Sequence, residues 1–142
     1  MKKVLSAWWP PLLYMGVIFA LSAQSRLPEP PGPWILSWDK AQHCTAYFIM
    51  GLLIFRAAGR IPMWKGMPAS LQTVLAGVLY GTLDEVHQHF VPGRSTDPFD
   101  LMADTTGLIL AGVVATLFVY TQTLRRDKDV RESGRKSIRG KG

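Results

Sequence analysis

Cysteine is nearly missing: Cys44 stands alone in 142 residues, which excludes a disulfide scaffold. Charge is thin, at 18% of the chain against 48% hydrophobic residues, and that composition excludes a soluble disordered protein. No Gly-x-Ser-x-Gly nucleophile motif, tightly spaced zinc motif or internal repeat is present. Sustained apolar–polar alternation is also missing, which argues against strands. The pI of 9.8 does not call for nucleic acid. Eight of the sixteen Lys and Arg residues fall in the last 18 positions, and the first 124 residues hold eight basic and seven acidic side chains.

What the chain has instead is oil, in four stretches. A helix needs ~20 mostly apolar residues to cross a hydrocarbon core. The stretches run over residues 5–23, 40–58, 69–91 and 99–121. Breakers separate them: Pro28, Pro30, Pro31 and Pro33, then Pro62, Gly66 and Pro68, then Pro92-Gly93. The expectation is an all-α bundle of four transmembrane helices over residues 1–124, followed by a basic, disordered tail over 125–142. The first stretch, with Lys2-Lys3 and small residues near Ala23, also resembles a signal peptide, but Trp8-Trp9-Pro10-Pro11 suits a cleaved apolar region poorly.

Basic residues orient the bundle. Thirteen of sixteen lie on one side of the expected membrane, leaving Arg26, Lys40 and Arg94 on the other. Both termini are therefore expected in the cytoplasm of a bacterial inner membrane. The tail is expected to touch anionic lipid, with no role for nucleic acid.

Most of the remaining polar residues converge on the outer face. Asp39, Lys40 and His43 open the second stretch; Asp84, Glu85 and Gln88 lie late in the third; Asp97, Asp100 and Asp104 open the fourth. Helical spacing aligns them. Lys40, His43, Tyr47 and Gly51 are separated by 3, 4 and 4, and Tyr80, Asp84 and Gln88 by 4 and 4. Such stripes face a bundle interior, because a charge facing lipid is costly. Gly51, Gly77, Gly81, Gly107 and Gly112 permit close helix approach. The plainer reading of Asp39 and Asp97 is helix capping, with Pro98 as the first residue of its helix. Two adjacent carboxylates at Asp84-Glu85 need a cation, a proton or water beside them.

Together these residues resemble the VanZ-like family of small membrane proteins. The likeness rests on Ser22; on Asp39-Lys40, His43 and Tyr47; on Tyr80-Gly81, Asp84-Glu85 and Gln88; and on Phe90, Pro92-Gly93-Arg94, Asp100 and Gly107. It covers roughly residues 22–112, and Asp104 departs from it, since the family usually carries Asn there. The family takes its name from a protein linked to resistance to teicoplanin, a lipoglycopeptide acting at the outer cell surface. The resemblance implies an integral membrane protein working near the cell envelope, without a settled activity.

Several functions compete for this cluster. In an enzyme acting on a lipid-linked or phosphate-bearing substrate, His43 or Glu85 would serve as general acid or base and Asp84 would orient it. Asp39, Lys40, Tyr47, Gln88, Arg94, Asp100 and Asp104 would bind the ligand, with Lys40, His43 and Arg94 clamping an anion. A binding protein would hold a lipid headgroup or amphiphilic drug with the same residues and no turnover. A structural protein would use the cluster only to pair helices. Ion transport lacks a matching polar path in the inner halves. No resident cofactor or metal centre is expected, although the carboxylates and His43 suit a divalent cation. Membrane lipids are the expected partners, and the oligomeric state stays open.

Overall fold

A computed structural model describes residues 2–24, 38–92 and 97–139. It contains four α-helices, and no strand occurs among the described residues. They are α1 (Lys2–Ser22), α2 (Trp38–Arg60), α3 (Ala69–His89) and α4 (Pro98–Arg139). The four expected stretches are all helical. Two of the helices, Lys2–Ser22 and Pro98–Arg135, are long and apolar enough to cross a membrane by length and composition.

The closest pairing is between α2 and α4, which run parallel and in step. Lys40 meets Asp100, His43 meets Asp104, and further down Gly51 lies against Ala111. Small residues permit this approach. A Cβ at Gly107 would fall 2.3 Å from the Cys44 carbonyl oxygen and 2.9 Å from the Phe48 backbone nitrogen, so backbone touches backbone there. Helix α3 packs against both α2 and α4, while α1 touches α2 and α3 but not α4. Ile18, Tyr47, Met50, Ile54 and Leu108 form the core, with Ala76, Val78 and Tyr80 of α3 packed against it.

Three polar contacts fasten α1. The Trp8 indole donates to the Ile61 carbonyl (3.1 Å), the Tyr80 hydroxyl donates to the Met15 carbonyl (2.7 Å), and the Ser22 hydroxyl donates to Asp84 (2.7 Å). The α1 helix is continuous through Pro10 and Pro11, although each removes one backbone donor. Between α2 and α3, the buried Gln72 side chain holds the turn. Its oxygen accepts from the amides of Met63 and Trp64, and its nitrogen donates to the carbonyls of Trp64 and Met67.

The polar and apolar faces are arranged inside out. On α3, Gln72, Thr73, Asp84 and Gln88 are buried, while Leu71, Leu75, Leu79, Leu83, Val86 and the adjoining Phe90 are exposed. That apolar stripe is about 28 Å long at 1.5 Å per residue.

Two expectations need correction. The chain beyond Arg125 was expected to be disordered, but α4 continues unbroken to Arg139. Extending an existing helix incurs no nucleation cost, and Asp127 with Arg131 and Lys128 with Glu132 have the favourable four-residue spacing. Asp39 is not a cap, since α2 already begins at Trp38. Asp97 does cap α4: its carboxylate accepts from the Phe99 amide at 2.9 Å, and Pro98 is the first helical residue.

Candidate functional site

The end of α1, the start of α2, the end of α3 and the start of α4 meet at one end of the bundle. Two polar assemblies occupy it. In the first, between α2 and α4, the Lys40 ammonium donates to Asp97 at 2.6 Å, to Asp100, and to Asp39 at 3.5 Å. One turn deeper, His43 Nδ1 lies 3.0 Å from Asp104 Oδ1, and His43 Nε2 lies 3.8 Å from Asp39. Asp104 is 1% exposed, so imidazole and carboxylate are withdrawn from water together. Asp97 lies just ahead of α4; hydrogen bonds from Lys40 and from the Phe99 amide hold its carboxyl below the usual carboxylate range.

The second assembly joins α1 to α3. Asp84 Oδ2 accepts from the Ser22 hydroxyl at 2.7 Å and from the Gln88 amide at 3.1 Å. Asp84 is 3% exposed. Its other oxygen, Oδ1, has no hydrogen-bond partner among the described residues, and neither do the Tyr47 hydroxyl and Glu85 Oε1.

Between the two assemblies lies a cavity of about 90 Å³. Helix α1 contributes Ile18, Leu21 and Ser22 to its wall; α2 contributes Asp39, Gln42, His43, Ala46 and Tyr47; α3 contributes Asp84 and Gln88. One wall is therefore apolar and the rest largely polar.

The candidate residues divide accordingly. Asp39, His43, Tyr47, Asp84 and Gln88 line the cavity. Lys40, Asp100 and Asp104 stand behind its α2 wall as ion-pair partners. Glu85 is half-buried, within electrostatic reach of His43, Asp100 and Asp104. Arg94 and Ser95 lie outside the described residues. The polar residues of the second, third and fourth stretches do converge at this end, but the cavity takes a wall from α1, and the carboxylates of α4 stand behind α2. In the structure Asp104 holds His43, and Asp84 is engaged by Ser22 and Gln88. Gln42 and Ala46 were missed; they follow Asp39 and His43 by three, the helical spacing that would have found them.

The expected anion clamp is altered as well. Lys40 and His43 are already matched by carboxylates of this chain. Asp39, His43 and Asp100 each offer a ligand atom within 4.8 Å of the others, a spacing that suits a divalent cation. Lys40 competes for that role, because its ammonium already bridges Asp39 and Asp100. His87 stacks on Phe19 of α1 with ring centroids 4.2 Å apart, and the exposed His89 meets Phe90 edge-on; neither lines the cavity.

Against known sequences, the family model described as VanZ/LLP1 matches residues 8–119. No curated protein and no solved structure matches the chain.

Proposed function

Because the chain belongs to the VanZ/LLP1 family, we propose that it is a four-span protein of the bacterial cytoplasmic membrane whose outward end holds the polar head of a membrane amphiphile. Membership of that family and two membrane-length apolar helices point to a membrane protein. The further two spans rest on surface pattern. Helix α3 exposes a leucine-rich stripe about as long as the ~30 Å hydrocarbon core is thick and buries Gln72, Thr73, Asp84 and Gln88. Helix α2 sits among the other three, so its composition is that of an interior helix. Both termini lie in the cytoplasm on the distribution of Lys and Arg.

The observation that carries the binding role is the cavity. It combines an apolar wall on α1, from Ile18 and Leu21, with buried polar groups on α2 and α3. Ligand sites commonly pair apolar walls with a few convergent polar groups. Amphiphiles with a polar head and an acyl tail suit both surfaces. A VanZ-like protein of this kind is a candidate to alter susceptibility to teicoplanin, itself an amphiphile.

Catalysis has one specific support. Asp104 on Nδ1 of the His43 imidazolium leaves its Nε2–H beside the cavity, placed to act as a general acid. Turnover of a bound lipid is therefore the second reading.

The test is native mass spectrometry with lipid analysis on the gently purified full chain, beside Asp84→Ala and Arg94→Ala. A lipid retained one-to-one by the wild type and lost from both variants is the expected result. The same bulk lipids in all three proteins would reduce the cluster to helix pairing. For orientation, in a Cys44→Ser background, Ser95→Cys should react with an impermeant maleimide from outside. Ser133→Cys should react only after permeabilisation.

A further inference from the structure

The outward end is acidic. Among the described residues it gathers six carboxylates, Asp39, Asp84, Glu85, Asp97, Asp100 and Asp104, against two cationic side chains, Lys40 and His43. Adding Arg26, Glu29 and Arg94, which the sequence puts on the same side, leaves seven against four. Both cationic groups are held by Asp39, Asp97, Asp100 and Asp104. Asp84 is served differently. Its donors are neutral, the Ser22 hydroxyl and the Gln88 amide, and both reach the same oxygen.

That leaves two orphaned atoms in cavity-lining residues, Asp84 Oδ1 and the Tyr47 hydroxyl oxygen, on side chains only 3% and 1% exposed. A buried carboxylate oxygen without a donor is costly. What the cavity lacks is N–H or O–H donation, preferably with positive charge. An anionic group placed there would meet Asp84 with no free cation among the described residues that line the cavity. We infer that the cavity receives a primary ammonium group, which donates N–H to Asp84 Oδ1 and to the Tyr47 oxygen. This rests on the amphiphile pocket proposed above and names the chemistry of its head. The volume of about 90 Å³ suits a short aminoalkyl group, with Ile18 and Ala46 beside its methylenes. A trimethylammonium head carries the same charge but no N–H, and it leaves both atoms unpaired.

The full chain is placed in nanodiscs of phosphatidylglycerol with equal minor fractions of phosphatidylethanolamine and phosphatidylcholine. Native mass spectrometry then reads the retained lipid. The two minor lipids share a phosphate and differ in their N–H groups. The wild type should retain phosphatidylethanolamine over phosphatidylcholine by about tenfold or more, the scale of one charge-assisted hydrogen bond. Asp84→Asn should bring the ratio close to one. Tyr47→Phe, which removes only a hydroxyl, should reduce it severalfold; helix content and a monodisperse elution profile check that both variants fold.

Free ethanolamine separates the sources of the ammonium. If it displaces the lipid, the site accepts the free amine as well; if it does not, the ammonium must arrive on a lipid. Equal retention of the two minor lipids, preference for phosphatidylglycerol, or a preference untouched by both variants would overturn the inference. So would stabilisation by Mg²⁺ or Zn²⁺ that is lost in Asp39→Asn while ethanolamine has no effect, which assigns the site to a metal. Retention of no lipid sinks the amphiphile pocket itself, whereas a retained lipid without an amine sinks only the ammonium.

Discussion

Replacing Gly107 by Ala tests the packing that builds the site. The added Cβ would fall 2.3 Å from the Cys44 carbonyl oxygen, 2.9 Å from the Phe48 nitrogen and 3.1 Å from the Cys44 carbonyl carbon. Ordinary contact is roughly 3.5 Å or more, so α2 and α4 must separate by about 1 Å; no side chain can turn aside. Overpacking typically costs ~1–3 kcal/mol, and a clash with backbone belongs at the upper end, about 3 kcal/mol. Neighbouring glycines supply the scale. At Gly77 the new Cβ meets the Leu108 side chain, 2.3 Å from Cδ2, and at Gly112 it meets nothing nearer than 3.5 Å. At Gly16 nothing lies within 4 Å, so alanine there should stabilise by up to ~1 kcal/mol through helix propensity. Thermal or denaturant unfolding in one detergent should rank the alanine variants Gly107, Gly77, Gly112 and Gly16 from least to most stable. Gly107 also follows Asp104 by one turn, and separating the helices draws Asp104 away from His43. Lipid retention should therefore fall with stability. A Gly107→Ala protein as stable as Gly112→Ala would refute the backbone contact and the α2–α4 register built on it.

Three further outcomes follow from the same geometry. Gln72→Ala removes four hydrogen bonds from the α2–α3 turn and should cost about 2–3 kcal/mol, with faster hydrogen exchange at the Met63 and Trp64 amides; unchanged exchange there would contradict the latch. Lys40→Met leaves Asp39, Asp97 and Asp100 without their shared cation and should cost about 1–2 kcal/mol, between the values for exposed and buried pairs because the network is only partly buried; an unfolding midpoint equal to wild type would deny the network. The Asp97 carboxyl is held low, so its stabilising share should be present above about pH 4, the ordinary carboxylate range, and be lost as pH falls further. Comparing melting temperature against pH for wild type and Asp97→Asn checks this: the gap should close only on the acid side.

Much of the site was legible in the sequence because helical spacing is strict. Lys40, His43 and Tyr47 share one α2 face, and Asp100 and Asp104 share one α4 face, as their three- and four-residue steps require. Pro98 after Asp97 announced the start of α4. Spacing along one helix cannot say which neighbour a stripe will meet. The pairing of His43 with Asp104 is of that kind. For the same reason α1 was left out of the cavity: Ser22 is its single buried polar residue, and Ile18 and Leu21 read as any apolar pair. Hydropathy likewise averages around a helix. It undervalues α3, which turns Gln72, Thr73, Asp84 and Gln88 inward. The continuation of α4 past Arg125 was hidden by composition, because a charged tail and a solvated helix use the same residues.

The fastening of α1 has a consequence for how the protein is made. Synthesis delivers this helix ahead of its partners, α2 and α3. Its three polar ties reach forward to Ile61, Tyr80 and Asp84, the last of them 62 positions downstream of Ser22. A helix that emerges before α2 and α3 thus docks only after both, and until it does, the Tyr80 hydroxyl and the Asp84 carboxylate wait without it. The chain closes its own cavity as a late act of assembly, with a segment made before the walls it completes.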